Sequence, residues 1–130
     1  MDNPLKIKIY AFTLDCINPS ELADFYAALL NWDKVVKDDD WAWVVAPEKY
    51  PYILFQRNLD YEPPVWPEEP NRQQQMAHID FAVNDLDKAV QHALSCGAKM
   101  ASEQFSDNWK VMFDPAGHPF CLCLKKTIFI

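Results

Sequence analysis

The residues able to do chemistry are few, and they fall at short, even spacings. His78 and Asp80 stand two apart in MAHIDFAV, and Cys121 and Cys123 stand two apart in PFCLCL. If both runs are strands, each pair shares one face, because side chains on a strand alternate with a period of two. A carboxylate beside an imidazole can orient the ring or work with it as an acid–base pair, so His78 and Asp80 are the catalytic candidates. A thiol nucleophile needs an adjacent base and a lowered pKa. His118 is three residues from Cys121 and therefore on the opposite face, which disfavours a Cys–His dyad from these two. Only two glycines occur, Gly97 and Gly117. Phosphate-cradling loops and dinucleotide fingerprints need several glycines in one short turn and are excluded.

Charge narrows the partners. Twelve Lys and Arg stand against 19 Asp and Glu, a formal charge of -7. The deficit is even, with 6 basic and 10 acidic residues in 1–60 and 6 and 9 in 61–130. No basic stripe is available for a phosphate backbone or an anionic membrane, so neither nucleic acid nor membrane is an expected partner. The four cysteines, Cys16, Cys96, Cys121 and Cys123, lack the CxxC spacing of a metal site and are read as buried free thiols. Met-Asp-Asn-Pro-Leu-Lys shows no positive region followed by an apolar one. No signal peptide is expected, and a cytoplasmic location with reduced thiols is.

A repeated pattern must position these groups. Residues 7–16 read as a strand. Asn18-Pro19-Ser20-Glu21 opens a helix near 19–31 with a cap, a first-turn proline and a capping-box acid. Leu22, Phe25, Tyr26, Leu29 and Leu30 form its apolar face. Strands follow near 33–37, 41–46 and 51–57, and Asp38-Asp39-Asp40 reads as a solvated turn. The second half repeats the plan, with a strand over 76–83 and a helix near 85–96 capped by Asn84. Gly97 ends that helix, and strands follow near 98–105, 109–113 and 118–124. Asp114-Pro115-Ala116-Gly117 suits a tight turn between the last two. Between the halves, 58–75 carries Tyr61, Val65 and Trp66, which are costly to leave in water, so part of it is expected to pack on the protein.

The strings LDCINPSELADFYAALLNW, PPVWPEEP, QQQMAHIDFAVNDLDKAV, GAK and DPAGHPFCLCL carry a resemblance over about residues 7–125. The chain resembles the vicinal oxygen chelate (VOC) superfamily, in its glyoxalase-like, bleomycin-resistance-like branch. The resemblance implies an α+β fold of two βαβββ modules forming one cleft. The chain is then a single domain over 1–130, with module 1 at about 5–57, a linker at 58–75 and module 2 at about 76–126. It also implies a homodimer. The inward set would be Ile9, Ala11, Thr13 and Asp15, then Met76, His78 and Asp80, then Cys121 and Cys123. Phe12, Leu14, Ile79, Phe81, Phe120 and Leu122 would face the helices.

Carried over residue by residue, the superfamily's metal positions give a damaged site. His78 falls on the one matching ligand position. Ala11 stands where the first module's histidine would be, Cys121 replaces the glutamate, and Gln56 occupies the fourth-strand acid position. A divalent metal is therefore disfavoured, and no cofactor is expected. Zinc through His78 and Cys121 would still lack two good ligands.

The function read from the sequence is binding of a small molecule in an aromatic, acidic cleft without the full superfamily metal site. Thr13, Asp15, Gln56, Trp66, His78 and Cys121 are its expected ligand-binding residues. The alternative is a glyoxalase-like lyase or isomerase using His78 with a metal, or with Asp80 as acid/base.

Overall fold

Each helix starts on a side-chain cap supplied by the sequence. Asn18 Oδ1 accepts from the Glu21 N–H at 3.1 Å, and Pro19 takes the first position of α1 (Pro19–Leu30). Asp85 Oδ1 accepts from the Lys88 N–H at 3.1 Å and opens α2 (Leu86–Cys96). The cap is thus Asp85 and not Asn84, since Asp85 carries the extended backbone that aims its carboxylate at the third helical N–H. α2 ends at Gly97, whose φ of 117° is left-handed backbone that glycine adopts without steric cost.

The computed structural model describes residues 4–130, and the chain divides into two units, one ending at Asn58 and one running from Leu59 to Ile130. The first holds β1 (Ala11–Cys16), α1, β2 (Asp33–Val36), β3 (Trp41–Val45) and β4 (Tyr52–Arg57). Its sheet runs β1-β4-β3-β2, with β1 parallel to β4 and the other pairs antiparallel. The second holds β5 (Ile79–Val83), α2, β6 (Lys99–Met100), β7 (Trp109–Phe113) and β8 (Pro119–Leu124), followed by a 3₁₀ turn over Lys126–Phe129. Its sheet repeats the order as β5-β8-β7-β6. The result is an α+β fold of two βαβββ modules. No helix among the described residues is long and apolar enough to cross a membrane.

In the first module α1 lies on β2, β3 and β4. Leu22, Ala23, Phe25 and Tyr26 bury against a sheet face that includes Ala42, Val44, Ile53 and Phe55. Tyr26 stacks on Phe55 with ring centres 5.5 Å apart. In the second, α2 buries Leu86, Val90 and Ala93, and lies on β8 and β6. Leu94 of α2 is 39% exposed.

The first strand of each module is shorter than its sequence pattern. β1 begins at Ala11 and β5 at Ile79, instead of near 7 and 76. Both parallel ladders begin beside a proline. Ala11 pairs with Tyr52 just after Pro51, and Ile79 pairs with Phe120 just after Pro119. Pro119 faces β5 and has no N–H to donate, so the second ladder gains no further bond. Pro51 instead faces β3, and the first ladder makes its last bond from the Tyr52 N–H to the Tyr10 carbonyl at 2.9 Å. Ile9 and Met76 consequently lie outside the strands and are exposed, which removes them from the expected inward sets. Phe12 is 45% exposed as well, because α1 covers β2, β3 and β4 and leaves β1 aside.

β6 has two residues where a strand over 98–105 was expected. The Gln104 side chain takes over its pairing. Its Oε1 accepts from the Val111 N–H at 2.8 Å, and its Nε2 donates to the Val111 carbonyl at 2.9 Å and the Ala101 carbonyl at 3.0 Å. The amide thus satisfies the edge of β7 that a longer β6 would have bonded.

Candidate functional site

The face of the second sheet turned away from α2 carries the chemistry. Register places Asp80 opposite Cys121 and Cys121 opposite Val111, then Ala82 opposite Cys123 and Cys123 opposite Trp109. The Lys125 N–H donates to the Val83 carbonyl at 3.0 Å, so the ladder continues one residue past β8. Lys125 therefore joins Cys121 and Cys123 on one face at steps of two. The intervening residues Phe120 and Leu122 are buried on the other face, where Phe120 meets Phe81 edge-on at 5.8 Å.

An aromatic wall stands beside this face. Trp66 stacks on His78 at 4.8 Å and on Phe105 at 6.0 Å, and Phe105 stacks on Trp109 at 5.9 Å. All three pairs are inclined by 26°. Trp66 reaches this place because its segment is tied down. The Val65 N–H donates to the Gln73 carbonyl at 2.8 Å, and Tyr61 Oη donates to the Ala116 carbonyl at 2.7 Å while its ring rests on His118. The segment 58–75 thus packs on the second module through Tyr61 and Trp66, while Val65 ties the segment to itself. The Asp114 turn holds the opposite end of this contact. Its buried carboxylate accepts from the Ala116 and His118 N–H groups at 2.9 and 3.0 Å.

Together these elements enclose a cavity of about 540 Å³. Trp66, His78 and Trp109 form its walls, Cys121 and Cys123 line it, and Asp80 and Lys125 bring opposite charges to it. Asn108 and Ile128 complete the lining. The size and the mixture of aromatic surface with a few polar groups are those of a small-molecule site.

Asp80 is the hub of the polar groups. Its Oδ1 lies 3.1 Å from His78 Nε2, and the Cys121 thiol is also hydrogen-bonded to it. His78 Nδ1 faces Gln75 Oε1 at 3.3 Å, so both ring nitrogens have partners. Burial first, and the Asp80 charge second, push the Cys121 thiol up to about 12. Cys121 is therefore a protonated donor at neutral pH and not a nucleophile. The Cys123 thiol is raised by burial and by Asp80, with Lys125 acting in the opposite direction.

Ala11, Thr13, Asp15 and Gln56 belong to the first module. Asp15 Oδ1 accepts from Gln56 Nε2 at 2.6 Å, and Oδ2 accepts from Asn58 Nδ2 at 3.1 Å. Thr13 is exposed and sits opposite Leu54. The structure thus gathers His78, Asp80, Cys121 and Trp66 around one cavity, and it couples Asp15 to Gln56 in the other module. Lys125, Asn108 and Trp109 were not among the site residues expected from the sequence. The alternation that pairs Cys121 with Cys123 reaches Lys125 when carried two residues further.

The superfamily's metal centre does not fit this donor set. At the superfamily's ligand positions Ala11 offers no donor, Gln56 offers only a neutral amide oxygen, and Cys121 puts a thiol in place of a carboxylate. His78 is then the one matching ligand, too few for a hard divalent ion at those positions. Among the described residues the nearest approach to a metal site is the trio His78, Asp80 and Cys121, with donor atoms within 4.8 Å of one another.

Two βαβββ modules with matching strand order define the glyoxalase-like class of the VOC superfamily. Residues 11–123 match the family model of the glyoxalase-like domain, and the chain belongs to that family. Solved structures share the fold at low identity. A possible glyoxalase from Bacillus cereus superposes with a TM-score of 0.66 at 10% identity, covering 91% of this chain and 99% of its own. A glyoxalase/dioxygenase from Nostoc punctiforme gives 0.65 at 15%, covering 96% and 99%. A hypothetical protein from S. aureus gives 0.63 at 17%, covering 94% and 100%. No curated protein matches the sequence.

Proposed function

We propose that this glyoxalase-like protein binds a small ring-bearing molecule in the cavity of its second module, without the superfamily's metal centre. One observation carries the reading. A carboxylate that is 61% exposed opens into a cavity walled by Trp66, His78 and Trp109. A planar ring can stack on such walls, and an ammonium or hydroxyl on it can reach Asp80. His78, fixed between Asp80, Gln75 and Trp66, supplies both a ring face and a polar edge. The protein is proposed to act in the cytoplasm as a homodimer.

Calorimetric titration with benzylammonium tests the reading in the wild type and in His78→Phe. Saturable binding in the wild type, lost in a variant that melts at the same temperature, supports it. A variant melting more than ~10 °C lower would mark His78 as structural, because that exceeds the shift of a 1 kcal/mol change. Absence of wild-type binding to benzylammonium and to benzyl alcohol would reject the cavity as a ring site.

The compactness of the His78–Asp80–Cys121 trio favours one second reading, a glyoxalase-like lyase or isomerase. Zinc accepts nitrogen, oxygen and sulfur donors, and three protein ligands suffice for a catalytic site. Elemental analysis of protein purified without chelator or histidine tag separates the two. Well under one equivalent of metal supports the binding reading. One equivalent of zinc, lost on His78→Ala, supports the enzyme.

A further inference from the structure

Two opposite charges stand at the ends of one strand face inside the cavity. Asp80 is paired across the ladder with Cys121, and Lys125 lies four residues beyond Cys121 on the same face. At ~3.3 Å per residue, the two backbone positions are ~13 Å apart along the strand. The space between them is lined by the neutral Cys123 thiol and flanked by the indoles of Trp66 and Trp109. Both charges border the cavity, and no carboxylate among the described residues lies within ion-pair distance of Lys125. Lys125 is not a general feature of an acidic surface. Among the described residues it is the one ammonium lining a cavity that also presents the Asp80 carboxylate.

We infer that the cavity selects a bipolar ring compound, with a cationic or hydrogen-bond-donating group at Asp80 and an anionic group, such as a carboxylate, at Lys125. The assignment rests on the binding reading above and names its ligand class. Stacking on the indoles holds the ring and is indifferent to charge, so the two ends decide orientation and selectivity. The Cys123 thiol reports the same geometry, since it senses Asp80 and Lys125 with opposite effects. A compound with only the cationic group leaves Lys125 without a partner. A compound with only the anionic group places no donor at Asp80.

The test compares para-(aminomethyl)benzoate, which carries its ammonium and carboxylate at opposite ends of one ring, with benzylammonium, para-methylbenzoate and benzyl alcohol. Dissociation constants are measured by calorimetry at low salt. The bipolar compound is expected to bind more tightly than benzylammonium by on the order of fivefold, the upper range of one solvent-accessible ion pair. Lys125→Gln should erase that advantage, and Lys125→Glu should make the carboxylate a penalty. Lys99→Gln, which makes the same charge change on exposed β6, should leave the advantage intact. If the ring compounds bind without a bipolar advantage, or the advantage survives Lys125→Gln, the bipolar assignment is overturned while the cavity reading stands. If none of the four compounds binds, the cavity reading falls and this assignment falls with it.

Discussion

Replacing Asp80 with Asn removes one charge and almost no volume, so it isolates the electrostatic part of the site. The carboxylate is 61% exposed, so the substitution should leave the fold intact. A ligand ammonium at ~4 Å from it would gain about 1 kcal/mol in a water-like dielectric and about 4 kcal/mol at an effective dielectric of 20. The exposure argues for the lower figure, and about 1 kcal/mol corresponds to roughly a fivefold weaker dissociation constant. Calorimetric titration of wild type and Asp80→Asn with benzylammonium reads this directly, with benzyl alcohol as the uncharged control. The wild-type preference for the cation should fade towards 1 M salt, where the screening length falls to ~3 Å. The variant should show no such salt dependence. Equal losses for the cation and the alcohol would mean that Asp80 acts by positioning His78 and not by its charge. Unchanged cation affinity would refute the electrostatic argument altogether.

Three further outcomes follow from the geometry. The Cys121 thiol, pushed up to about 12, should resist alkylation at neutral pH in the folded protein while the less buried Cys96 reacts, as peptide mapping would show. The same shift has a stability consequence. Below pH 9 the thiol is protonated whether folded or unfolded; between about 9 and 12 only the unfolded chain releases the proton, so stability falls as pH rises through that window. Cys121→Ala should flatten this alkaline slope in denaturant titrations. Asp114→Ala strands the Ala116 and His118 N–H groups and should cost about 1–3 kcal/mol, seen as a lower urea midpoint. Light scattering should give a particle of twice 15.1 kDa, and a monomer at micromolar concentration would contradict the proposed homodimer.

Much of the architecture was legible because period-two and period-3.6 patterns report burial directly. The run MAHIDFAV separated Ile79 and Phe81 from His78 and Asp80 before any coordinates, and PFCLCL did the same for Phe120 and Leu122. Strand ends were misread for a local reason. Apolar alternation continues through Pro119, but a residue without an N–H cannot extend the hydrogen-bond ladder to β5. The missing part of β6 was invisible because a side-chain amide, Gln104, imitates a strand, and no pattern of apolar residues encodes that. Lys125 was overlooked because a lysine just past a strand reads as solvated surface. Only the ladder bond to Val83 shows that it still obeys the strand's alternation.

The central claim is that the ring site is the cavity of the second module, and the indole N–H resonances test it most directly. The chain has five tryptophans. Trp66 and Trp109 line the cavity, whereas Trp32, Trp41 and Trp43 belong to the first module. Two-dimensional nitrogen–proton spectra, assigned by single Trp→Phe variants, would be followed while para-(aminomethyl)benzoate is added. The account predicts saturable shifts of the Trp66 and Trp109 indoles, with the other three unmoved. Shifts confined to Trp41 and Trp43, or no shift of any indole at saturating probe, would contradict it.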